Sequence, residues 1–334
     1  MTIGICTFLI LSCATPAEPA PEPPPAQVAP EPEVAPEPEP EPDPPLIAPD
    51  GTEIAPCETA PEGMACIPGG PFERGVDRSP ALCSINEGWE CASKNAVPKA
   101  TIWVQTFAMD ITEVTYEAYK NCEALGSCNK AGPNYGDFNR PTQPITGISW
   151  YDAVKYCEAQ GKHLPTEAEW ELAARGPEGD LYPWGGEIPT CELAVIKDDR
   201  GRSCGVKKKT QPEKGRVLVV KSRPPSRHGL YDMIGNAQEW VFDWYSKDYD
   251  SCGSDCLGVN PRGPCQGAEP CKQRQYRVVK GGSWYWGASH ANGADRRWHV
   301  PSNNPYHHFG FRCAASLEEG REIQNLGMMP DDGN

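Results

Sequence analysis

Sixteen cysteines in a chain of 334 residues constrain its fold more than any other feature of the sequence. Two of them lie within the first 13 residues, and the other fourteen are spread over the part of the chain that follows residue 50. An even set of cysteines in an exported chain predicts disulfide bonds. Proximity in sequence predicts these local pairs: Cys83 with Cys91, Cys122 with Cys128, Cys191 with Cys204, Cys252 with Cys256, and Cys265 with Cys271. The last four could instead form a metal cluster, but the absence of a Cys-x-x-Cys motif favours bridges.

The N-terminus is typical of an export signal that ends in a lipid attachment site. Residues 2–11 form an apolar run of about ten residues, too short to span a bilayer and suited to the hydrophobic region of a signal peptide. The run leads into Ser12 and Cys13, which resemble a lipobox. We therefore predict a lipoprotein signal peptide and lipobox at residues 1–13, with the mature chain anchored in the bacterial cell envelope through lipid on Cys13. Ala14 favours the outer membrane, facing the periplasm or the cell surface.

Residues 14–50 have a composition that cannot build a hydrophobic core. They contain 15 prolines and nine acidic residues, with no Lys or Arg. Such a segment is expected to be a disordered, extended linker. It supplies much of the formal net charge of −15, so the remainder is only mildly acidic and no nucleic-acid partner is predicted. We predict a folded domain at residues 51–316 and a loose C-terminal tail at residues 317–334.

Three helices can be located from their capping residues. Thr115 and Ser149 are predicted N-caps of two helices that run towards glycines, and Thr166 with Glu169 forms a capping box for a third. Short strands are predicted at residues 64–72 around a turn, 107–110, 277–280 and 311–314. Few helices and many short strands indicate an irregular α+β domain.

Residues 229–240, Gly-Leu-Tyr-Asp-Met-Ile-Gly-Asn-Ala-Gln-Glu-Trp, place two carboxylates around a turn. Asp232 and Glu239 flank Gly235 and Asn236, so side-chain and main-chain oxygens can face one point, as a hard cation such as calcium requires. The spacing is not that of an EF-hand. Ordinary loop and capping roles for the two carboxylates are the alternative interpretation.

Four motifs follow one another along the chain. They are PTEAEWE at residues 165–171, the 229–240 stretch, KGGSW at 280–284 and GFRCA at 310–314. In this order and spacing they resemble the formylglycine-generating enzyme (sulfatase-modifying factor) domain family, over about residues 64–316. The resemblance implies a C-type-lectin-like fold with little regular secondary structure, which is compatible with the α+β prediction.

The resemblance also implies a copper chemistry that this chain does not supply. Such enzymes resemble a copper-dependent oxidase in which two cysteines after the Gly-Gly-Ser turn bind Cu(I), and soft thiolates suit that ion. Their reaction converts a substrate cysteine into formylglycine. In this chain Trp286 and approximately Ala291 occupy the two positions, and no cysteine lies between residues 272 and 312. Copper binding is therefore not expected. A disulfide between Cys157 and Cys313 is also implied by the resemblance.

The family resemblance strengthens the calcium prediction. It implies a site formed by the side chains of Asp232 and Glu239 and by the carbonyl oxygens of Gly235 and Ala237. A second calcium site of the family is expected to be lost here, because Val195 takes the place of an Asn ligand.

Aromatic and histidine residues lie where the resemblance implies a substrate cleft. The candidate cleft residues are Trp286, His290, Trp298, His299, His307 and His308. The four histidines fall within 19 residues and could hold non-haem iron. Hydrogen-bonded or surface histidines and core aromatic rings are the alternative interpretation.

Two functions follow from these observations. The first is a catalytically silent, lipid-anchored binding or scaffolding module, stabilised by calcium and disulfides, for an unidentified peptide, protein or glycan. The second is a metal-dependent oxidoreductase, with iron or another centre, that acts on an exported peptide or protein. The missing thiolate pair favours the first.

Overall fold

Short helices and strands, joined by long irregular segments, make up this domain. The computed structural model describes residues 45–57, 59–77, 93–207, 215–302 and 307–327. The strands are β1 (Leu46–Ile47), β2 (Glu53–Ile54), β3 (Met64–Ile67), β4 (Gly70–Arg74), β5 (Ala100–Val104), β6 (Phe107–Asp110), β7 (Gln238–Trp244), β8 (Arg277–Lys280), β9 (Arg297–His299), β10 (Phe309–Gly310) and β11 (Ala314–Ser316). The α-helices are α1 (Tyr116–Ala124), α2 (Trp150–Ala159), α3 (Glu167–Arg175) and α4 (Leu317–Gly327).

The three helices predicted from their caps are confirmed. The side chains of Thr115 and Ser149 each accept a hydrogen bond from a main-chain N–H in the first turn of α1 and α2. In α3 the capping box is complete, because Thr166 and Glu169 each bond to the other's main chain. These bonds satisfy N–H groups that have no partner within the helix. The start of each helix is therefore fixed by residues that are close in sequence.

Four small sheets lie in the described part of the chain. The largest has the strand order β10-β7-β8-β9, in which β10 runs parallel to β7 and the other pairs are antiparallel. A three-stranded sheet has the order β11-β6-β3, and two two-stranded antiparallel sheets are formed by β4 with β5 and by β1 with β2. β9 lies at one edge of the largest sheet. Consecutive parts of the chain are thus distributed between separate sheets.

Two large apolar clusters form the core. One is built around Trp170 of α3 and includes Met109, Val241 and Val278. The other surrounds Tyr119 of α1 and joins the first two helices to the largest sheet. Because both clusters draw on β7 and β8, this sheet connects the two halves of the core.

Disulfide bonds are present in the structure, as the even cysteine count predicts. The bridges between described cysteines are Cys57–Cys66, Cys122–Cys128, Cys157–Cys313, Cys191–Cys204, Cys252–Cys256 and Cys265–Cys271. The four local pairs predicted among them are confirmed, and the Cys157–Cys313 bridge is the one that the family resemblance implies. Cys57–Cys66 was not predicted as a pair. The Cys83–Cys91 prediction, the lipobox at Cys13 and nearly all of the linker lie outside the described residues.

Three sequence predictions are corrected by the structure. The segment after residue 316, predicted as a loose tail, begins with α4, because Ser316 and Glu319 form a second capping box with bonds of 2.6 and 3.1 Å. The strand predicted at 311–314 is replaced by β10 and β11, since the chain crosses there between two sheets. β1 lies within the predicted linker because it pairs with β2. No helix in the described ranges is both long and apolar enough to cross a membrane.

Candidate functional site

The turn that precedes β7 is held in place by two other loops. Gly235 has a φ of 86°, and a Cβ atom at this position would lie 2.7 Å from the carbonyl oxygen of Val195, so a side chain cannot be accommodated. The N–H of Gly235 donates to the carbonyl oxygen of Gly281 at 2.9 Å, and the N–H of Asn236 donates to that of Val195 at 2.9 Å. The stretch at 229–240 is therefore fixed against the Gly-Gly turn.

Glu239 is a buried carboxylate whose charge is balanced inside the protein. Arg312 donates to it through Nε at 2.8 Å and through Nη2 at 2.7 Å, and the indole Nε1 of Trp170 donates to it at 2.7 Å. Bonds between a guanidinium and both oxygens of a carboxylate are among the strongest side-chain hydrogen bonds. Glu239 thus connects the 229–240 stretch to α3 and to the GFRCA motif.

Two further carboxylates are buried beside Glu239. Asp232 accepts a main-chain N–H at 2.8 Å through Oδ2, whereas its Oδ1 is buried and has no hydrogen-bond partner. Glu113, which no sequence motif indicated, accepts bonds from Asn236 Nδ2 at 2.9 Å and from the following main-chain N–H at 2.8 Å. Burial raises the pKa of Asp232 to about 6. Burial, followed by the charges of Asp232 and Glu239, holds the pKa of Glu113 well above its usual range.

The predicted calcium site can be tested against this geometry. The unpartnered, buried Oδ1 of Asp232 fits a bound cation, which would satisfy an atom that is otherwise costly to bury. Glu239 would have to share its charge, because both of its oxygens already accept bonds from Arg312. The residues therefore fit a cation at Asp232. Such a cation would compete with the guanidinium of Arg312 for the carboxylate of Glu239. Calcium stays a prediction.

Four of the predicted cleft residues form one group. The rings of Trp286 and His290 lie 5.6 Å apart. Tyr285 lies between Trp286, at 4.9 Å, and His308, at 5.4 Å, and its ring is 5.9 Å from that of His307. The structure thus brings together both ends of the predicted cleft, although the 16 residues 291–306 separate His290 from His307 in sequence.

The other two predicted cleft residues make different ring contacts. Trp298 is half-exposed on β9, where its ring lies 4.4 Å from Tyr276. Alternation along a strand turns its neighbour His299 to the opposite face, where the His299 ring is 6.1 Å from Trp240 and 5.1 Å from Phe309. Trp298 is therefore not part of the group around Trp286.

Two arginines that sequence reasoning missed complete this group. The guanidinium of Arg202 lies 3.5 Å over the ring of Tyr285, and that of Arg297 lies 4.7 Å over the ring of Trp286. A guanidinium is attracted to an aromatic face and remains able to donate through its edge. No spacing rule in the sequence joins these two arginines, because only the tertiary structure brings them together.

The electrostatic field of the group is positive. Burial, with the charges of His307, Arg297, His299 and Arg202, lowers the pKa of His308 to about 3. His308 is therefore neutral at pH 7.

Comparison with known protein families identifies the fold. Residues 52–317 match the family described as the sulfatase-modifying factor enzyme 1-like domain, which accounts for most of the chain. The chain belongs to this family. The resemblance inferred from the four motifs is confirmed.

Several curated proteins are similar in sequence to this sulfatase-modifying factor domain. A formylglycine-generating enzyme of Thermomonospora curvata is 38% identical over 196 residues, 55% of this chain and 59% of that enzyme. Serine/threonine-protein kinase pkn1 of Chlamydia pneumoniae is 31% identical over 277 residues, 76% of this chain and 38% of the kinase. Inactive C-alpha-formylglycine-generating enzyme 2 of Mus musculus is 30% identical over 197 residues, 58% of this chain and 55% of that protein. The chain thus spans between 38% and 59% of the length of these relatives.

Solved structures with the same fold support the assignment. Treponema denticola variable protein 1 aligns with a TM-score of 0.55 at 20% identity, and PvdO from Pseudomonas aeruginosa aligns with a TM-score of 0.55 at 22% identity. Each alignment covers 76% of this chain and 94% of the other. At this level of identity the likeness shows the fold alone. The predicted irregular α+β fold of the formylglycine-generating-enzyme type is confirmed.

The sulfatase-modifying factor domain of this chain lacks thiols after its Gly-Gly-Ser turn. No cysteine lies between residues 272 and 312, Trp286 is half-buried, and Ala291 is fully buried. Within the described ranges, no three His, Cys, Asp or Glu side chains are placed to hold a metal ion. Iron at His290, His299, His307 and His308 stays a prediction.

Proposed function

We propose that this domain is a binding or scaffolding module of the cell envelope that does not oxidise cysteine. The observation that carries the proposal is the absence of any cysteine between residues 272 and 312, where the family resemblance implies the copper-binding pair. Neither the indole of Trp286 nor the methyl group of Ala291 can bind Cu(I) as a thiolate does. The chain keeps the family fold and the motifs around this position, but it lacks the two cysteines that the family resemblance implies as copper ligands.

A preorganised site supports a role in binding. The main chain at Trp286 is fixed on both sides, since its N–H donates to Ser283 O at 3.1 Å and its carbonyl oxygen accepts the N–H of Lys197 at 2.8 Å. Rigid aromatic groups bind a ligand with little loss of conformational entropy. The site around Trp286 thus has the properties of a recognition surface.

Cysteine oxidation can be tested directly. The exported, oxidised chain is incubated in air with a cysteine-containing peptide and Cu(I), and formylglycine is sought by mass spectrometry. The Thermomonospora curvata formylglycine-generating enzyme, treated in the same way, is the positive control. We expect product only with the control enzyme. Repeated turnover by this chain would contradict the proposal.

The alternative of an iron-dependent oxidoreductase acting on an exported peptide or protein rests on the grouped histidines. His290, His307 and His308 lie around Tyr285 and Trp286, and His308 is neutral at pH 7, the form that binds metals. This alternative predicts oxygen uptake by the iron-loaded chain in the presence of a peptide. A flat oxygen trace would exclude it for that substrate.

The proposed module is anchored through lipid on Cys13 and stabilised by calcium at Asp232 and Glu239. The lipobox supports the anchor, and the unpartnered Asp232 Oδ1 supports the calcium site.

We predict that EGTA lowers the melting temperature and that added calcium restores it, because a ligand that binds only the folded state stabilises it. Asp232→Asn should abolish this response, whereas Asp250→Asn, in an exposed turn, should keep it. An identical melting temperature with and without EGTA would refute the calcium site.

A further inference from the structure

Four side chains form a continuous row at the candidate site, which we call the cationic strip. Its members are Arg202, Tyr285, Trp286 and Arg297. Each arginine lies over one of the two rings, at 3.5 and 4.7 Å, and the rings lie 4.9 Å apart. All four residues are partly exposed. The strip therefore presents two positive charges and two aromatic rings to solvent in a single row.

The two charges of the strip have no acidic partner among the described residues. Arg202 contacts the Tyr285 ring, and Arg297 adds to its ring contact a long bond of 3.5 Å to Nδ1 of His290. Asp295, which is 3.5 Å from the same histidine nitrogen, is buried and accepts a main-chain N–H. The N–H groups along the edges of both guanidiniums are thus available to a ligand.

Two neighbouring arginines, by contrast, have carboxylate partners. Arg296, the residue before one strip arginine, is buried and donates to Glu167 at 2.6 Å. Arg200, two residues before the other, is largely exposed and donates to Asp198 at 2.7 Å. In both places the chain provides a carboxylate for the adjacent arginine and none for the strip. The two strip arginines can therefore accept a carboxylate from another molecule without breaking an ion pair within the chain.

Both arginines of the strip project from a fixed backbone. Arg202 lies in a turn where the N–H of Ser203 donates at 2.9 Å to the carbonyl oxygen that precedes Tyr285. The bridge between Cys191 and Cys204 closes this turn. The other lies on β9, where it is paired with Val279 of β8. A ligand therefore meets charges that are already in position, which reduces the entropy lost on binding.

The geometry favours a peptide that carries carboxylates. The planar fork of a guanidinium matches a carboxylate in two-point contact. β9 is an edge strand with no strand on its outer side in the described part of the chain, and such an edge can add an extended peptide through main-chain hydrogen bonds. A short acidic segment meets only the strip, whereas a long polyanion such as a sulfated polysaccharide would also meet the mildly acidic remainder of the chain.

We propose that the cationic strip binds a short, extended acidic peptide whose carboxylates pair with Arg202 and Arg297 while its main chain lies along β9. This inference rests on the proposed binding function and names the chemical class of its ligand. It requires no metal and no covalent step.

The test uses the full chain and two fluorescein-labelled peptides, one of alternating Val and Glu and one in which Gln replaces every Glu. We expect the Glu peptide to bind at least about tenfold more tightly in an anisotropy titration, with an affinity that falls as NaCl is added. Arg202→Gln and Arg297→Gln should each weaken its binding by about tenfold. Arg200→Gln, which removes a charge that already has a partner, should leave it unchanged. The salt titration of the unmodified chain tests the proposal even if a variant folds poorly.

Equal binding of the two peptides, no binding of either, or equal behaviour of the three arginine variants would overturn the proposal. Binding of a sulfated oligosaccharide through the same arginines, without peptide binding, would also overturn it in favour of a glycan ligand. The formylglycine assay is independent of these titrations. A chain that neither oxidises cysteine nor binds the Glu peptide would refute this inference alone, whereas turnover would refute the proposed function.

Discussion

At the residue scale, the protein depends on charges that are buried together with their partners. Glu239 and Arg312 are both buried and share two-point bonds, and Lys280 lies 3.0 Å from Glu171 in the same core. A charge left unpaired in such surroundings is far costlier than the pair itself. Removal of one partner should therefore have a large effect on stability.

We predict that Glu239→Gln lowers the free energy of unfolding by about 3–5 kcal/mol, because it removes the carboxylate charge to which the buried Arg312 donates through two nitrogens. Glu123→Gln is the control, since it breaks a partly exposed pair with Lys120 and should cost less than about 1 kcal/mol. Urea unfolding monitored by tryptophan fluorescence gives both values. Equal losses in the two variants would contradict the buried-pair interpretation.

Sequence reasoning found some members of this centre and missed others for a physical reason. Asp232 and Glu239 flank a turn within one short stretch, so their spacing alone indicated a shared site. Glu113 lies far away in the chain and reaches Asn236 only through the fold. Local spacing carries no information about such a contact.

At the element scale, the C-terminal helix α4 is attached to the core by a histidine. His163 lies between Glu169 at 3.2 Å and Glu319 at 2.9 Å, the latter in the first turn of α4. Burial alone would lower the pKa of His163, but the two carboxylates raise it to about 10. Burial would raise the pKa of Glu319, but His163 and the N–H of Ser316 lower it to about 2.

These pKa shifts predict how the contribution of Glu319 to the stability of the folded state varies with pH. The stability that protonated His163 contributes is fully present below its unfolded pKa of 6.5 and is lost as pH rises through about 10. The stability that the ionised Glu319 carboxylate contributes is fully present above its unfolded pKa of 4.5 and is lost as pH falls through about 2. Glu319→Gln should therefore lower the melting temperature most near pH 5.5 and least at pH 10 and above.

Glu318→Gln is the matched control for this experiment, because both acids lie in the first turn of α4 and share its helix dipole. Its effect should be smaller and should not follow the same pH profile. Coinciding profiles for the two variants would show that His163 does not hold the helix.

Elements that depend on nearby residues could be predicted, and those that depend on distant strands could not. α3 follows from the capping box of Thr166 and Glu169. The same pattern at Ser316 and Glu319 was present in the sequence and was overlooked, so α4 was predictable. β7 was not, because the residues after the 229–240 turn become a strand only by pairing with β8 and β10, which lie far along the chain.

At the scale of the whole molecule, one disulfide closes most of the domain. Cys157 and Cys313 are 156 residues apart in sequence, whereas Cys252 and Cys256 are separated by 4. A bridge reduces the entropy of the unfolded chain more when it closes a longer loop, by about 5 kcal/mol for the first spacing and about 2 kcal/mol for the second. The long bridge should therefore dominate disulfide stabilisation.

We predict that replacing Cys157 and Cys313 together by Ala lowers the free energy of unfolding by about 5 kcal/mol, against about 2 kcal/mol for the Cys252 and Cys256 pair. Denaturant unfolding with the remaining bridges intact measures both. A larger loss for the short bridge would contradict the loop-closure argument.

The candidate site itself shows the limit of sequence reasoning at this scale. The KGGSW motif led to Trp286 and to the histidines near it, but Arg202 and Arg297 are brought to these rings by separate loops and strands. Trp298 packs against Tyr276, whereas its neighbour Arg297 lies over Trp286, because adjacent residues on a strand face opposite sides.

Elemental analysis of the exported chain, purified without chelators, tests the account most directly. The account predicts calcium at about one ion per chain, with copper and iron far below stoichiometric amounts. Copper or iron at a stoichiometric level would contradict the silent binding module and would make the group around Trp286, His290, His307 and His308 a redox centre.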